Sequence, residues 1–237
     1  MGAGEQAHRV RNTEARDFDD IADLCRRVYP ETSPWNGEQL GSHLRVFPEG
    51  QYVAASAGQE QIVGMTATLI IDQDRYDLFD SWDDFTAHGM LTNHDPVRGR
   101  TLYGVEMIVD PAVQGHGVGH GLLAAHKAVA RARGLRRIRG GARLRDYHHH
   151  AGRMSAADYV RAVVHGRITD HTLTFHLNEG YHVIAVVPHY LSDDSETLGY
   201  AAVVEWLNPD VIRPEHYAER PTTYLHPDVV GAVAARP

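Results

Sequence analysis

The pattern of hydrophobic and polar positions predicts an alternation of strands and helices along most of the chain. Apolar residues recur at helical spacing after Asp17, at Ile21, Leu24, Cys25 and Val28, and this predicts an amphipathic helix that ends before Pro30. Cys25 on that stripe is expected to be a core residue. A short strand over residues 9–13 precedes this helix. A second helix over 37–46 and two strands over 51–56 and 61–71 are predicted to follow it.

Residues 102–109 are apolar apart from Gly104 and Glu106 and predict a mostly buried central strand. A turn with three glycines follows, and then a helix over about 118–133 that Gly134 ends. Its expected buried stripe is Val118, Leu122, Ala125, Val129 and Ala132.

The glycine turn predicts a phosphate-binding site, because glycines let backbone N–H groups approach an anion at a helix N-terminus. A nucleotide-binding P-loop would need a Lys-Ser or Lys-Thr pair where His120 and Gly121 stand. A dinucleotide fingerprint would need a different glycine spacing. Close packing of small residues at a helix N-terminus is the structural alternative.

The pattern in the second half of the sequence predicts a strand over 135–144 that Gly140 and Gly141 interrupt, and a helix that begins after Ser155. A helix over 171–179 and strands over 181–187 and 199–206 complete the regular part. Residues 72–100 and 145–170 are long inserts, and long inserts tend to carry function. We assign the first to the side of the site where an acceptor would bind, with a surface loop as the alternative.

Composition limits the class of function. The chain has 237 residues, 43% hydrophobic residues and a formal net charge of −8, which disfavours nucleic acid as a partner. A single cysteine cannot form an internal disulfide, and no N-terminal stretch has the apolar core of a signal peptide or a membrane span. We therefore expect a soluble, cytoplasmic protein without a membrane partner. The 17 histidines are expected to be mostly surface or packing residues, so no metal site is expected.

Gln114, Gly117 and Gly119, placed between a strand and an amphipathic helix, resemble the pyrophosphate-binding signature of the GNAT superfamily of N-acetyltransferases. The resemblance implies an α/β fold: a mixed α+β sheet with splayed central strands, flanked by helices. It covers residues 9–207 as one acyl-CoA-binding domain that contains both inserts. Residues 1–8 are expected to be a disordered N-terminus, and residues 208–237 a proline-rich extended arm.

Further segments resemble the GNAT domains that precede nitrilase-type carbon-nitrogen hydrolases in many proteins. They include Tyr147, residues 154–160, residues 173–175 and residues 178–181. No cysteine follows Trp206, so the Cys-Lys-Glu site of such a hydrolase is absent from this sequence. The resemblance is therefore confined to the acetyltransferase half.

The family resemblance implies acetyl-CoA as the co-substrate and assigns its binding residues. The backbone of Met107, Ile108 and Val109 would pair with the pantetheine arm. The pyrophosphate would bind at Gln114, Gly115, His116, Gly117, Val118, Gly119 and His120. A backbone N–H of the central strand would polarise the thioester carbonyl.

Two side chains are candidates for proton transfer. Glu106 is a carboxylate within an otherwise apolar strand and is the expected general base, with an exposed or arginine-paired carboxylate as the alternative. Many GNAT enzymes have a tyrosine acid four residues before the glycine that ends the fourth helix. This chain has His176 there. His176 is the candidate acid, although the departure leaves that role open.

The predicted function is therefore transfer of an acetyl group to a primary amine of a small molecule or peptide, by direct attack in a ternary complex. The alternatives are a CoA-binding regulatory domain that has lost turnover and a metal-dependent enzyme that uses the histidines. The extended arm could reach a second subunit, so a homodimer is a possible assembly.

Overall fold

The computed structural model describes residues 8–58, 60–191, 194–213, 216–217 and 221–224. It has a mixed α/β architecture of seven strands flanked by helices. The strands are β1 His8–Asn12, β2 Tyr52–Ser56, β3 Ile62–Ile71, β4 Thr101–Val109, β5 Arg137–Arg143, β6 His182–Val187 and β7 Ala201–Leu207. The helices are α1 Phe18–Val28, α2 Gly37–Val46, α3 Trp82–Thr86, α4 Val118–Ala132, α5 Ala156–Val164 and α6 His171–Asn178.

The chain forms two compact units. One comprises residues 1–72 and 86–135, and the other comprises residues 73–85 and 136–237. The predicted insert 72–100 is thus divided between them. The predicted splay of the central strands concerns one strand of each unit and stays a prediction.

The first unit is built on four antiparallel strands, in which β2 and β3 lie between β1 and β4. All ten residues of β3 are buried, which explains why its sequence is mostly apolar and has no charged residue on either face. Helices α1 and α4 both contact β3 and β4. Ile21, Leu24 and Cys25 of α1 are buried, as the helical spacing predicts, whereas Val28 in the last turn is only partly buried.

A β-bulge interrupts the pairing of β3 with β4. Ala67 pairs with Glu106, but the next residue of β3, Thr68, pairs with Gly104, so Val105 is an extra residue on β4. A bulge of this kind bends the strand and redirects the backbone groups beside it. The candidate site lies at the end of β4 that follows the bulge.

Helix α4 packs on the sheet through Val118, Leu122 and Val129, as predicted. Ala132 is exposed, so the predicted stripe is wrong at that position, and Ala125 in the middle of the stripe is only partly buried. Leu123, His126 and Ala130 are buried instead, because the face turned to the sheet is wider than a single stripe.

In the second unit, β7 lies between β5 and β6 and is antiparallel to both. The predicted interruption at Gly140 and Gly141 is wrong, since β5 pairs with β7 without a break from Arg137 to Arg143. Gly141 is required for packing: a Cβ there would lie 2.2 Å from Cζ of Tyr190.

The helices of this unit begin at capped positions. Ser155 accepts a hydrogen bond from the Asp158 backbone and begins α5, as predicted.

The first part of the insert 72–100 contributes to the core of this unit, because Leu78 and Trp82 pack against a cluster that contains Val187 and Tyr190.

The predicted termini fall largely outside the described residues. Residues 1–7 and 225–237 are among those not described, whereas His8 is the first residue of β1. Asn208 is buried and donates its backbone N–H to the Arg136 carbonyl oxygen at 2.9 Å.

Candidate active site

The end of β4 is held in place by Asp110. Its backbone N–H donates to the Val63 carbonyl oxygen at 2.9 Å, which continues the pairing with β3. Its carboxylate accepts from the Ala112 N–H at 3.0 Å and forms an ion pair of 2.8 Å with Arg27 of α1. The strand therefore enters the following turn from a fixed position.

We define the glycine turn as residues 114–120, where β4 leads into α4. Gly115 and Gly117 have φ values of +81° and +82°, in the left-handed region that favours glycine. Gly117 is the N-cap of α4 and provides no side-chain cap. A Cβ on Gly115 would have nothing within 4 Å, so the surface of the turn is open.

The first turn of α4 contributes Val118, Gly119 and His120. N–H groups at a helix start have no partner within the helix, and the helix dipole adds positive potential there. Gln114 donates from Nε2 to the Val109 carbonyl oxygen at 3.3 Å. Nδ1 of His116 lies 3.1 Å from the Gln114 carbonyl oxygen. The geometry suits an anion bound by backbone N–H groups.

The three β4 residues predicted to bind pantetheine differ in their side-chain environment. Ile108 is buried. Met107 and Val109 pack against the cluster that contains Val118 and Leu122, so their side chains lie on the α4 side of the sheet. Their predicted role as binding residues depends on their backbone groups.

Glu106 lies on the opposite side of the sheet, toward α1. The pKa of Cys25 is raised to about 11, chiefly by burial, and the Glu106 carboxylate also raises it. A hydrogen bond between the Cys25 side chain and the Trp35 backbone lowers this pKa, but by less than burial raises it. The candidate base therefore lies close enough to α1 to act electrostatically on Cys25. The raised pKa keeps Cys25 a neutral thiol, consistent with the predicted core role.

Trp35 is buried and belongs to a packed group. Its ring lies edge-on to His43, with centroids 4.9 Å apart. Nε2 of His43 is 2.7 Å from the Gly89 carbonyl oxygen, and the Ser42 hydroxyl donates to the Met90 carbonyl oxygen at 2.7 Å. These bonds attach the second part of the insert to α2.

The insert segment on α2 has an unusual backbone. Ala87, His88 and Gly89 all have positive φ values, as does Leu91. The left-handed backbone conformation costs roughly 1–2 kcal/mol for each non-glycine residue that adopts it. Such strain persists only where the surrounding contacts impose it, and the bonds from Ser42 and His43 are contacts of that kind.

His176 lies in the second unit, in α6. Its Nδ1 is 2.8 Å from the Thr172 carbonyl oxygen, so Nδ1 carries the hydrogen and Nε2 is the basic nitrogen of the neutral ring. The ring lies edge-on to Phe175 and Tyr181. Burial lowers the pKa of His176. Glu106 and His176 thus belong to different units, and their proton-transfer roles stay predictions.

Sequence reasoning missed two buried polar side chains beside Glu106. The Thr66 hydroxyl of β3 is 2.7 Å from the Glu106 carbonyl oxygen and 2.7 Å from Nε2 of His126 in α4. His126 stands four residues after Leu122, so helical spacing alone would have placed it on the buried face. Thr66 lies in a fully buried strand and gives no such signal.

Within the described ranges, no three His, Cys, Asp or Glu side chains are grouped in a way that would hold a metal ion. The helices in the same part of the chain are all too short or too polar to cross a bilayer.

A family model and a curated relative show the family of the chain. The model of the acetyltransferase (GNAT) family matches residues 15–152, more than half of the chain. The chain is 33% identical over 207 residues to an uncharacterized N-acetyltransferase, YkwB, of Bacillus subtilis (strain 168), and the match covers 86% of this chain and 90% of that protein.

A probable hydrolase of the same organism, YhcX, is 39% identical over 203 residues, and the match covers 86% of this chain but 39% of that protein. The chain therefore spans well under half of that relative. Among solved structures, the GphF GNAT-like decarboxylase in complex with isobutyryl-CoA superposes with a TM-score of 0.70 at 26% identity. That match covers 84% of this chain and 99% of the other.

Proposed function

Because the chain belongs to the acetyltransferase (GNAT) family, we propose that it is an N-acetyltransferase that uses acetyl-CoA. The nitrogen of a primary amine attacks the thioester carbon in a ternary complex, and a tetrahedral intermediate forms. The carbon–sulfur bond then breaks and releases the CoA thiolate, which takes up a proton, while the amine loses one. The acceptor is a small molecule or a peptide.

The observation that carries this proposal is the open glycine turn at the start of α4. Two left-handed glycines and an N-cap without a side chain leave backbone N–H groups accessible to a pyrophosphate. The groups that would hold it belong to Gln114, Gly115, His116, Gly117, Val118, Gly119 and His120. Met107, Ile108 and Val109 would bind the pantetheine arm. Residues 9–207 would act together as the acyl-CoA-binding domain.

Glu106 is the proposed base. It lies on the α1 side of the sheet, close enough to Cys25 to raise the pKa of that thiol, whereas Met107 and Val109 face α4. An amine bound on the α1 side would then meet the carboxylate while the cofactor follows the strand edge. His176 is the proposed acid, and its low pKa restricts that role to acidic conditions.

A second candidate function is decarboxylation of an acyl-CoA that carries a β-carboxylate. The observation that favours it is the 26% identity and the TM-score of 0.70 with a GNAT-like decarboxylase. In that reaction the carbon–carbon bond to the carboxylate breaks, CO2 leaves, and the electron pair forms a thioester enolate that takes up a proton at carbon. The backbone donor proposed for the tetrahedral oxyanion would stabilise the enolate oxygen equally well.

A paired assay separates these functions. One arm incubates the protein with acetyl-CoA and a panel of polyamines, amino acids, aminoglycosides and peptides, and detects acetylated amine and free CoA by mass spectrometry. The other arm incubates it with malonyl-CoA and without amine, and detects acetyl-CoA and CO2. We expect product in the first arm. Product in the second arm alone would replace the proposal with the decarboxylase. CoA binding without either product would favour the regulatory domain.

A further inference from the structure

Three groups beside the bulge form a continuous chain of hydrogen bonds. Thr66 and His126 are both nearly fully buried, and the Thr66 hydroxyl lies 2.7 Å from both Nε2 of His126 and the Glu106 carbonyl oxygen. A hydroxyl has one hydrogen, and a carbonyl oxygen can only accept. Thr66 therefore donates to Glu106, and Nε2 of His126 carries the hydrogen that it donates to Thr66.

The pairing register of β3 and β4 shows in which direction the Met107 N–H points. The bond from the Asp110 N–H to the Val63 carbonyl makes these two residues a hydrogen-bonded pair. Such pairs alternate along an antiparallel ladder, so Met65–Ile108 and Ala67–Glu106 are the next two. Met107 stands between them and turns its N–H away from β3.

The Glu106 carbonyl and the Met107 N–H belong to one planar trans peptide, in which the two groups point in opposite directions. Thr66 and the ladder together hold the carbonyl toward β3. The Met107 N–H is thereby aimed at the opposite edge of β4. Hydrogen bonds in a chain polarise one another, so donation to the carbonyl makes this N–H a stronger donor.

On the basis of the proposed function, we propose that Thr66 and His126 are positioning residues that aim and polarise the Met107 N–H, the donor to the thioester carbonyl oxygen. The placement favours this over packing alone. Thr66 and Met107 are directly opposite on the ladder, immediately after the bulge, where the Val105 insertion would otherwise leave the peptide less constrained.

The test measures the carbonyl of bound acetyl-CoA that carries 13C at the thioester carbon. Isotope-edited infrared spectra report the strength of the hydrogen bond to that carbonyl without any need for turnover. In the wild-type protein we expect a lower stretching frequency than in free acetyl-CoA. In Thr66→Val the frequency should return toward the free value, and kcat should fall roughly 10- to 100-fold with KM for acetyl-CoA unchanged.

Two comparisons control for packing. Thr66→Ser retains the hydroxyl and should restore both frequency and kcat. Thr68→Val removes another buried hydroxyl of β3, one that donates to the Gly50 carbonyl oxygen at 2.8 Å, and should leave both unchanged. If Thr66→Val does not fold, His126→Leu takes its place, with His126→Gln, which retains an N–H near the Nε2 position, as its control.

A folded Thr66→Val with wild-type frequency and kcat would overturn the positioning role and leave the acetyltransferase proposal intact. If the wild-type protein acetylates no amine but its bound acetyl-CoA shows a shift that Thr66→Val abolishes, the positioning role stands and the acetyltransferase proposal fails. No wild-type carbonyl shift, or no binding of acetyl-CoA, would overturn the positioning role.

Discussion

Gly64 of β3 and Val118 of α4 approach each other so closely that a Cβ on Gly64 would lie 2.8 Å from Cγ1 of Val118. The same Cβ would lie 3.3 Å from the Ile108 carbonyl oxygen and from Cδ1 of Leu122. The absence of a side chain at Gly64 therefore determines how closely the first turn of α4 can approach the sheet. The glycine turn depends on that approach.

Gly64→Ala should consequently displace the start of α4. We expect a loss of about 1–3 kcal/mol in the free energy of unfolding, since overpacking a tight core costs this much, together with weaker CoA binding. Urea unfolding and the CoA-induced melting shift measure the two effects. Gly37→Ala is the control, because a Cβ there has nothing within 4 Å. Full CoA affinity in Gly64→Ala would contradict the link between this packing and the site.

The two ends of α4 offer a matched test of the glycine turn. Gly117 at the start and Gly134 after the end both have positive φ, and a Cβ at either would meet no closer contact than 3.7 Å. Alanine at either position should cost about 1 kcal/mol through backbone strain. Only Gly117→Ala should lower CoA affinity, by about tenfold or more, which corresponds to about 1.4 kcal/mol.

Titration calorimetry with CoA measures this difference directly, and unfolding experiments confirm that both variants lose similar stability. Equal CoA affinity in the two variants would remove Gly117 from the pyrophosphate site.

Features that depend on neighbouring residues were predictable from sequence. The second helix was predicted with its observed bounds, and Asn36 and Gln39 form a reciprocal capping pair at its start. The glycine turn was predicted on the same grounds, since its glycines, its strand and its helix are contiguous.

Features that depend on distant residues were not predictable. Thr66 and His126 are 60 positions apart, and their contact exists only because α4 packs on β3. Gly141 looked like a strand breaker, yet the Tyr190 ring, 49 positions later, occupies the space of its missing side chain. The bulge at Val105 likewise depends on the register of two strands, which no local pattern encodes.

Acid should destabilise the protein through buried histidines. Burial lowers the pKa values of His43, His94 and His176. Below about pH 6.5 these three rings therefore bind protons in the unfolded chain while they stay neutral in the folded protein. Their stabilisation is complete above that pH and is lost as the pH falls, at up to about 1.4 kcal/mol per pH unit for each residue.

Urea unfolding at pH 7.5 and pH 5.5 tests this with His43→Gln, which should show a smaller difference between the two pH values than the wild type. His148→Gln, at an exposed site, is the control. An unaltered pH difference in His43→Gln would show that His43 does not contribute.

Glu106→Gln tests the proposed base with minimal change of shape. We expect CoA affinity to remain and kcat/KM to fall by about 10² to 10⁴, the usual effect of losing a general base. The acidic limb of the pH–rate profile should also disappear. Steady-state kinetics across the pH range measure both. Retention of the limb with full activity would assign proton removal to another group or to solvent.

His176 should act as an acid only at low pH. Because burial lowers its pKa below the usual value of about 6.5, the ring is neutral at pH 7 and above, and its hydrogen is committed to the Thr172 carbonyl oxygen. If His176 protonates the leaving thiolate, activity should decline as the pH rises through this lowered pKa. His176→Ala should then lose activity near pH 5.5 and match the wild type near pH 8.

His176→Asn separates this role from a structural one, because its amide nitrogen can replace Nδ1 as the donor to Thr172 while the Nε2 position is lost. We expect it to fold as stably as the wild type and to show the same pH-dependent loss as His176→Ala. A loss of equal size at pH 5.5 and pH 8 in both variants would mean that the ring supports α6 or binds a substrate. Full recovery in His176→Asn alone would assign the residue to packing, and the thiolate would then take its proton from water.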